Sequence, residues 1–370
     1  MGAHRTVVSA QARRRWVVVL AVVAVLGSLP VLAGLRPVRA AEVGLATLRE
    51  RIAASGRQAH EGYALSSGLL PLPALPDLEQ VTALVTGTTE LRTWYAAPDR
   101  WRVDVVDEAA ERDLYQTPDA QYAWDYGQNQ LTRIAGAQPV RLPRGADVTP
   151  PALGTRLLGL AAADRFTPLP GKRVAGLAAA GLRIVPASAD TTVAHVDLWA
   201  DPGTGLPLQV EVTARGGSRP VFVTRFLEVH LRTPDASVLT PPAPVAGMGF
   251  TVTDTSDILG AIDRLGVGGL PERLAGSPRE ATAVGAAGAY GAGLARFVVV
   301  ALPGRLGYRT YGRLRAFGQA VTVPQGEAAI LSTGLLTVLA VRADRTYLVA
   351  GLVQPALLRR VAAELAGGAA

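Results

Sequence analysis

From Thr88 to Ile134, apolar and polar residues alternate with a period of two between closely spaced turn signals. In Arg100–Val106 the side chains of Trp101, Val103 and Val105 share one face while Arg102 and Asp104 share the other, the pattern of a half-buried strand. Leu91, Thr93 and Tyr95 repeat it before Pro98-Asp99. Tyr122, Trp124 and Tyr126 repeat it between Thr117-Pro118-Asp119 and Gly127-Gln128-Asn129. Connections this short cannot hold a crossover helix, so neighbouring strands run antiparallel. The prediction is a meander with one apolar face, and that face needs a cover.

The alternation resumes in Ala194–Trp199. Asp201-Pro202-Gly203-Thr204-Gly205 then turns the chain, and Leu208, Val210 and Val212 line one side of the return strand. Arg215-Gly216-Gly217 turns again before Pro220–Val229. Few helices interrupt this sheet. Val43, Leu45, Ala46, Leu48 and Ile52 make a stripe on a helix over Glu42–Ser55, and Pro150-Pro151 open a second over Ala152–Ala163. Tyr63–Val85, rich in Leu and Pro, predicts neither a regular helix nor a central strand.

Behind Thr240-Pro241-Pro242-Ala243-Pro244 the pattern changes. It predicts a helix over Asp254–Leu265, a strand over Leu294–Leu302 and a helix over Pro303–Phe317 with Arg305, Arg309 and Arg313 four apart. A strand pair, Ala328–Val341 and Arg345–Leu352, and a closing helix over Pro355–Leu365 follow. The expected division is a leader over 1–40, a sheet domain over 41–239, a Pro-rich linker over 240–249 and a smaller α+β domain over 250–370. In the leader, Arg13-Arg14-Arg15 precede Trp16–Leu35, a charge-free run of twenty residues that suffices to span a bilayer. Val38-Arg39-Ala40 offers a small-residue cleavage site, so a signal peptide and a retained membrane anchor are both open. The arginine triplet favours a body on the extracytoplasmic face of the cytoplasmic membrane, anchored or secreted.

Composition removes several functions. The 370 residues contain no cysteine, which excludes disulfides, thiolate metal sites, a cysteine nucleophile and the acylated cysteine of a lipoprotein. The formal charge of +7 invites a nucleic-acid partner. The arginines are mostly interleaved with carboxylates, however, and Lys172 is the only lysine, so no nucleic-acid surface is expected. His4, His60, His195 and His230 show no metal-ligand spacing, and no serine sits in a G-x-S-x-G elbow. Gly288–Gly293 has the look of a phosphate loop but lacks its lysine and precedes a strand. Asp104, Asp107, Glu108, Glu111 and Asp113 read as a solvated hairpin end. The expectation is a protein without catalytic residues, metal or cofactor.

Two stretches carry a family resemblance. The hairpin VDLWADPGTGLPLQVEV (Val196–Val212), the Thr224–Phe226 segment after it, and LRTWYAAPDRWRVDV and YAWDY in the meander resemble the LolA/RseB superfamily of bacterial envelope proteins over roughly Glu42–Leu231. Ala289–Leu294 and TYLVAGLVQPALLRRVAAEL near the end resemble the second domain of the RseB (MucB) branch. The resemblance implies an α+β fold: a large antiparallel half-open β-barrel covered by helices, plus a smaller C-terminal α+β domain. It also implies a concave apolar face that receives the acyl chain of a lipid or lipoprotein, in a regulator of a membrane anti-sigma factor. A LolA-like carrier serving an envelope ABC transporter is the alternative; a membrane-tethered hydrolase would need a polar cluster the sequence does not display. One parity of the strands supplies the candidate lining: Val103, Val105, Leu114, Tyr122, Trp124, Val196, Leu198, Leu208 and Val210. Such a lining gains about 0.8 kcal/mol per buried methylene without any specific hydrogen bond.

Overall fold

Short turns fold the alternating segments into successive antiparallel pairs. β2 (Thr88–Ala97), β3 (Arg100–Val106), β4 (Glu111–Gln116), β5 (Gln121–Asp125) and β6 (Gln130–Ala135) form the expected meander. A second meander contains β7 (Arg165–Val174), β8 (Leu177–Val185), β9 (Val193–Ala200), β10 (Pro207–Ala214) and β11 (Phe222–His230). β1 (His60–Gly68) joins the two, pairing with β2 on one side and β11 on the other. β12 (Gly249–Asp254) extends the far edge in parallel with β6, the one parallel pair among the described residues. The computed structural model describes residues 43–70, 79–106, 111–136, 143–254, 269–280 and 285–368. The twelve strands form an open sheet ending in β12 and β7.

Two local expectations are corrected here. Tyr63–Gly68 lies within a central strand, because its prolines begin only at Pro71, and α2 (Glu79–Thr86) is a regular helix. The boundary between linker and second domain falls inside β12, which pairs with the first sheet.

α1 (Leu45–Ala54) and α3 (Pro150–Leu160) cover the first sheet. α1 buries Leu48 and Ile52, and α3 buries Leu157 and Leu158 after two prolines in the first turn, where no helical N–H bond is lost. α3 packs on β10 at Gly154, where a Cβ would stand 2.8 Å from Pro207. The core between sheet and helices is continuous, from Leu48 and Ile52 to Leu182, Ile184, Leu206 and Phe226.

The second sheet has eight strands. β13 (Arg273–Leu274), β14 (Ser277–Glu280), β15 (Ala287–Tyr290) and β16 (Phe297–Leu302) are followed in space by β20 (Thr346–Gly351), β19 (Thr337–Arg342), β18 (Glu327–Ser332) and β17 (Gln319–Val321). Ala328–Val341, expected as one strand, is the β18–β19 hairpin, and the expected strand from Leu294 starts at Phe297 because Gly293–Ala295 makes a 3-10 turn. Most of the helix expected over Asp254–Leu265 lies outside the described residues. α4 (Gly304–Phe317) packs Tyr311 and Leu314 on Ala329 and Ala340, on one face. α5 (Pro355–Gly367) packs Leu357, Leu358, Val361 and Leu365 with Ile330, Leu339, Val341 and Val349 on the other.

The two sheets are joined along the β8–β9 connection. Thr191 bridges Val353, the Thr192 N–H donates to the Leu352 carbonyl at 3.0 Å, and the Gln354 N–H donates to the Asp190 carbonyl at 2.6 Å. Leu294 and Leu335 of the second half enter the first core. The Asp164 carboxylate accepts from the Ala187 N–H and the Leu294 N–H, each at 3.0 Å. Gly293 makes this possible: its φ is +58°, and a Cβ there would lie 2.6 Å from Asp164 Oδ1. Gly293→Ala is expected to cost about 2 kcal/mol. Urea unfolding followed by far-UV circular dichroism, to which both sheets contribute, checks this, and the transition should broaden or split as the halves uncouple.

Candidate functional site

Cross-strand partners share a face, so the register alone defines a continuous inner surface. One row runs Leu182, Leu198, Val210, Thr224, Ser66, Thr89. Another runs Val229, Gly62, Thr93, Val103, Leu114, Ala123, Thr132. Both lie on the face that α1 and α3 cover.

Seven of the nine expected lining residues reach this face. Val196, Leu198, Leu208 and Val210 are fully buried beneath the helices, and Val103 is buried beside them. Val105 and Leu114 are only half-buried. A 3-10 turn at Gly145–Val148 rests on Val105, with Gly145 so close that a Cβ would collide with the valine methyl. Tyr122 and Trp124 are the correction. Their register partners are Tyr115 and Asp113, on the opposite face, where they pack with Tyr115, Leu131 and Met248. Parity within each strand was legible, but the β4–β5 turn sets Ala123, not Tyr122, opposite Leu114. The inner face also holds two fully buried hydroxyls, Ser66 Oγ and Thr224 Oγ1, which are register partners and have no hydrogen-bond partner of their own.

The family-like hairpin turn has a mechanical role beside this surface. Asp201 Oδ1 accepts from the Gly203 N–H at 3.1 Å, the Thr204 N–H at 2.7 Å and the Thr204 hydroxyl at 2.8 Å. The turn so fixed presents Gly205, with φ +75°, against the backbone of Arg51 and Ile52, while the Arg51 guanidinium donates to the Pro202 carbonyl. The motif therefore docks α1 onto the sheet. Trp199 before it donates Nε1–H to the Pro170 carbonyl at 3.1 Å, and Lys172 Nζ stands 3.2 Å from the centre of its ring.

On the outer face Asp104 and Asp113 depart from the expected solvated hairpin end, while Asp107 and Glu108 of that stretch lie outside the described residues. Asp104 and Asp113 sit opposite each other on β3 and β4 and are 1% and 0% exposed. Arg102 donates to Asp104 Oδ1 at 2.6 Å and, from Nη2, to Asp104 Oδ2 and Asp113 Oδ2 at 2.8 Å each. Tyr115 donates its hydroxyl to Asp113 Oδ2 at 3.1 Å, and the Arg102 guanidinium lies 5.0 Å from the ring centres of Trp94 and Tyr115. Burial first, and then the charge of Asp104, push the Asp113 carboxyl up to about 7. Asp104, Glu111 and Asp113 bring carboxylate oxygens within 4.8 Å of one another. Arg102 already binds both oxygens of Asp104 and one of Asp113, which makes the group a buried ion-pair network. Alternation puts Arg102 and Asp104 on one face of β3, but that Asp113 stands opposite Asp104 is set by the β3–β4 register, which residue type alone does not report. His195 lies 3.8 Å from Asp197, whose oxygens are held by Arg183 at 2.6 and 2.7 Å. Among the described residues no helix is long and apolar enough to cross a membrane, and Trp16–Leu35 lies outside them.

No family profile matches the chain, and no curated protein matches it. Solved structures do. MucB in the Pseudomonas aeruginosa MucA/MucB complex aligns with 18% identity and a TM-score of 0.48, covering 86% of this chain and 97% of that one. MucB in complex with MucA(peri) aligns at 18% identity and a TM-score of 0.47, with the same coverage. A LolA superfamily protein from Nitrosomonas europaea aligns at 11% identity with a TM-score of 0.25, covering 54% of this chain and 98% of that one.

Proposed function

We propose that the chain is a non-catalytic envelope protein, working outside the cytoplasmic membrane, that takes the acyl chain of a lipid or lipoprotein on its inner face. In this reading acyl occupancy controls an RseB-like hold on a membrane-embedded anti-sigma factor. The observation that carries the proposal is the inner face: an apolar surface across an open sheet, sealed by α1 and α3 at the β8–β11 end and only half-covered at Val105 and Leu114. An acyl segment of about six methylenes laid along Val105 and Leu114 gains on the order of 5 kcal/mol. Buried Ser66 and Thr224 offer hydroxyl donors to an ester or carboxyl oxygen that reaches beneath the cover.

The regulator role is supported by how the cover meets the second sheet. α3, which lies on the inner face, also touches the Gly293–Ala295 turn, and Leu294 packs into the first core. Displacing α3 to admit an acyl chain therefore disturbs the junction between the sheets. Pull-down of the tagged full chain from envelope extracts in mild detergent is expected to recover a single-span membrane protein with a cytoplasmic sigma-binding segment. Recovery of an ABC transporter subunit in its place replaces regulator with carrier, and recovery of neither contradicts both.

A further inference from the structure

The ends of the two sheets are guarded unequally. β7 ends the first sheet with Pro168 and Pro170, a register irregularity between Leu169 and Lys172, and the charges of Lys172 and Arg173, all of which oppose pairing with a further strand. β13 and β17, the ends of the second sheet, are two and three residues long. β12 has none of these guards. Its six residues run in unbroken register beside β6, Phe250, Thr251, Val252 and Thr253 are all exposed, and no proline or charge lies between Gly249 and Thr253.

The ladder with β6 decides which backbone groups are left over. The Gly249 N–H donates to the Asn129 carbonyl at 2.9 Å, with Gly249 opposite Gln130. Alternate residues of a parallel strand bond to the same neighbour, so Gly249, Thr251 and Thr253 face β6. Phe250 and Val252 turn N–H and C=O outward, where no described strand pairs with them, and are 45% and 56% exposed. We propose that this edge pairs antiparallel with β12 of a second copy, about a twofold axis at Thr251. In that register the outward groups of Phe250 meet those of the second copy's Val252, and the reverse, each pair exchanging both of its backbone hydrogen bonds. An aromatic ring is then set against a β-branched side chain on the outer face, and Thr251 against Thr251 on the inner one. Thr251 continues the inner row through Thr132 and Ala123 to Leu114, so the two inner faces join across the axis. The occupant is a second copy rather than an unlike segment because β12 complements itself: the one register that matches its outward groups also pairs Phe250 with Val252, and the edge offers no charge by which to select a different sequence.

The chain has no cysteine, so one introduced thiol reports the axis. Across a non-hydrogen-bonded antiparallel pair the Cα atoms stand about 4.5 Å apart, within disulfide reach. Full-chain Thr251→Cys, oxidised in mild detergent at micromolar concentration, is expected to run as a disulfide-linked dimer on a non-reducing gel. Phe250→Cys, which faces Val252 rather than itself, should give at least about tenfold less, because its thiols lie beyond the roughly 7 Å that a disulfide tolerates. Adding Val252→Pro to Thr251→Cys should abolish the dimer, since it removes an N–H that β6 does not use. Val252→Lys takes its place should the proline variant lose its thermal transition. A Thr251→Cys chain that stays monomeric, equal cross-linking of Phe250→Cys, or a Thr251→Cys dimer that survives the Val252 substitutions overturns the proposal. So does a Thr251→Cys chain that in envelope extracts cross-links to another protein and not to itself, which would assign the edge to an unlike strand.

Discussion

Arg102→Met is expected to destabilise the protein by about 3–5 kcal/mol at pH 8, because it strands two buried carboxylates that share a single arginine. The loss should shrink at pH 5, where protonation of the carboxyls removes the charge that Arg102 neutralises. Asp113 gives the same network a signature of its own. Its carboxyl is raised in the folded state to about 7, against about 4 in an unfolded chain, so it binds a proton more readily when folded. The stability from that proton is fully present below about pH 4 and is lost as the pH rises through about 7. Asp113→Asn, which mimics the protonated form, should therefore stabilise at pH 8 by about 2 kcal/mol and flatten the pH dependence between about 4 and 7. Urea titrations of the three proteins at pH 5 and pH 8 check both signs. A loss for Arg102→Met that is independent of pH would mean the carboxylates are solvated after all.

Gly205→Ala carries the other large effect. The residue holds φ +75°, and a Cβ there would meet the backbone of Arg51 and lie 2.6 Å from Ile52 N, at the end of α1. Left-handed strain and collision together are expected to cost about 3 kcal/mol. Because Ile52 is completely buried, lifting α1 also opens the inner face. Increased binding of an apolar dye should accompany the fall in urea midpoint. Gly203→Ala in the same turn is the control: its Cβ would meet nothing closer than Asp201 Oδ1 at 3.3 Å, and its midpoint should barely move.

Particular residues show how far the chain's pattern reached. Alternation in Arg100–Val106 located β3 to the residue, and the hairpin around Asp201–Gly205 was read correctly as a turn between β9 and β10. Periodicity within a strand is set by the pleat, which every residue reports. Which face a strand presents depends on the length and shape of the preceding turn, which no single residue reports. Tyr122 and Trp124 were accordingly assigned to the wrong face even though their own alternation was right. β1 was hidden by the Leu/Pro run that follows it, and β12 by a proline-rich stretch that looked like the end of a domain. The burial of Asp104 and Asp113 is a tertiary effect: each becomes tolerable in the interior only because Arg102, two residues from one and across the ladder from the other, can reach both.

The claim that the inner face receives acyl chains is tested most directly by native mass spectrometry of the full chain purified from bacterial envelopes. A mass excess of one lipid or lipoprotein acyl species is predicted, abolished by Leu114→Glu, which puts a charge on the half-open part of the face while leaving the helix-covered core intact. A bare polypeptide mass, or a lipid adduct that Leu114→Glu leaves unchanged, would contradict it.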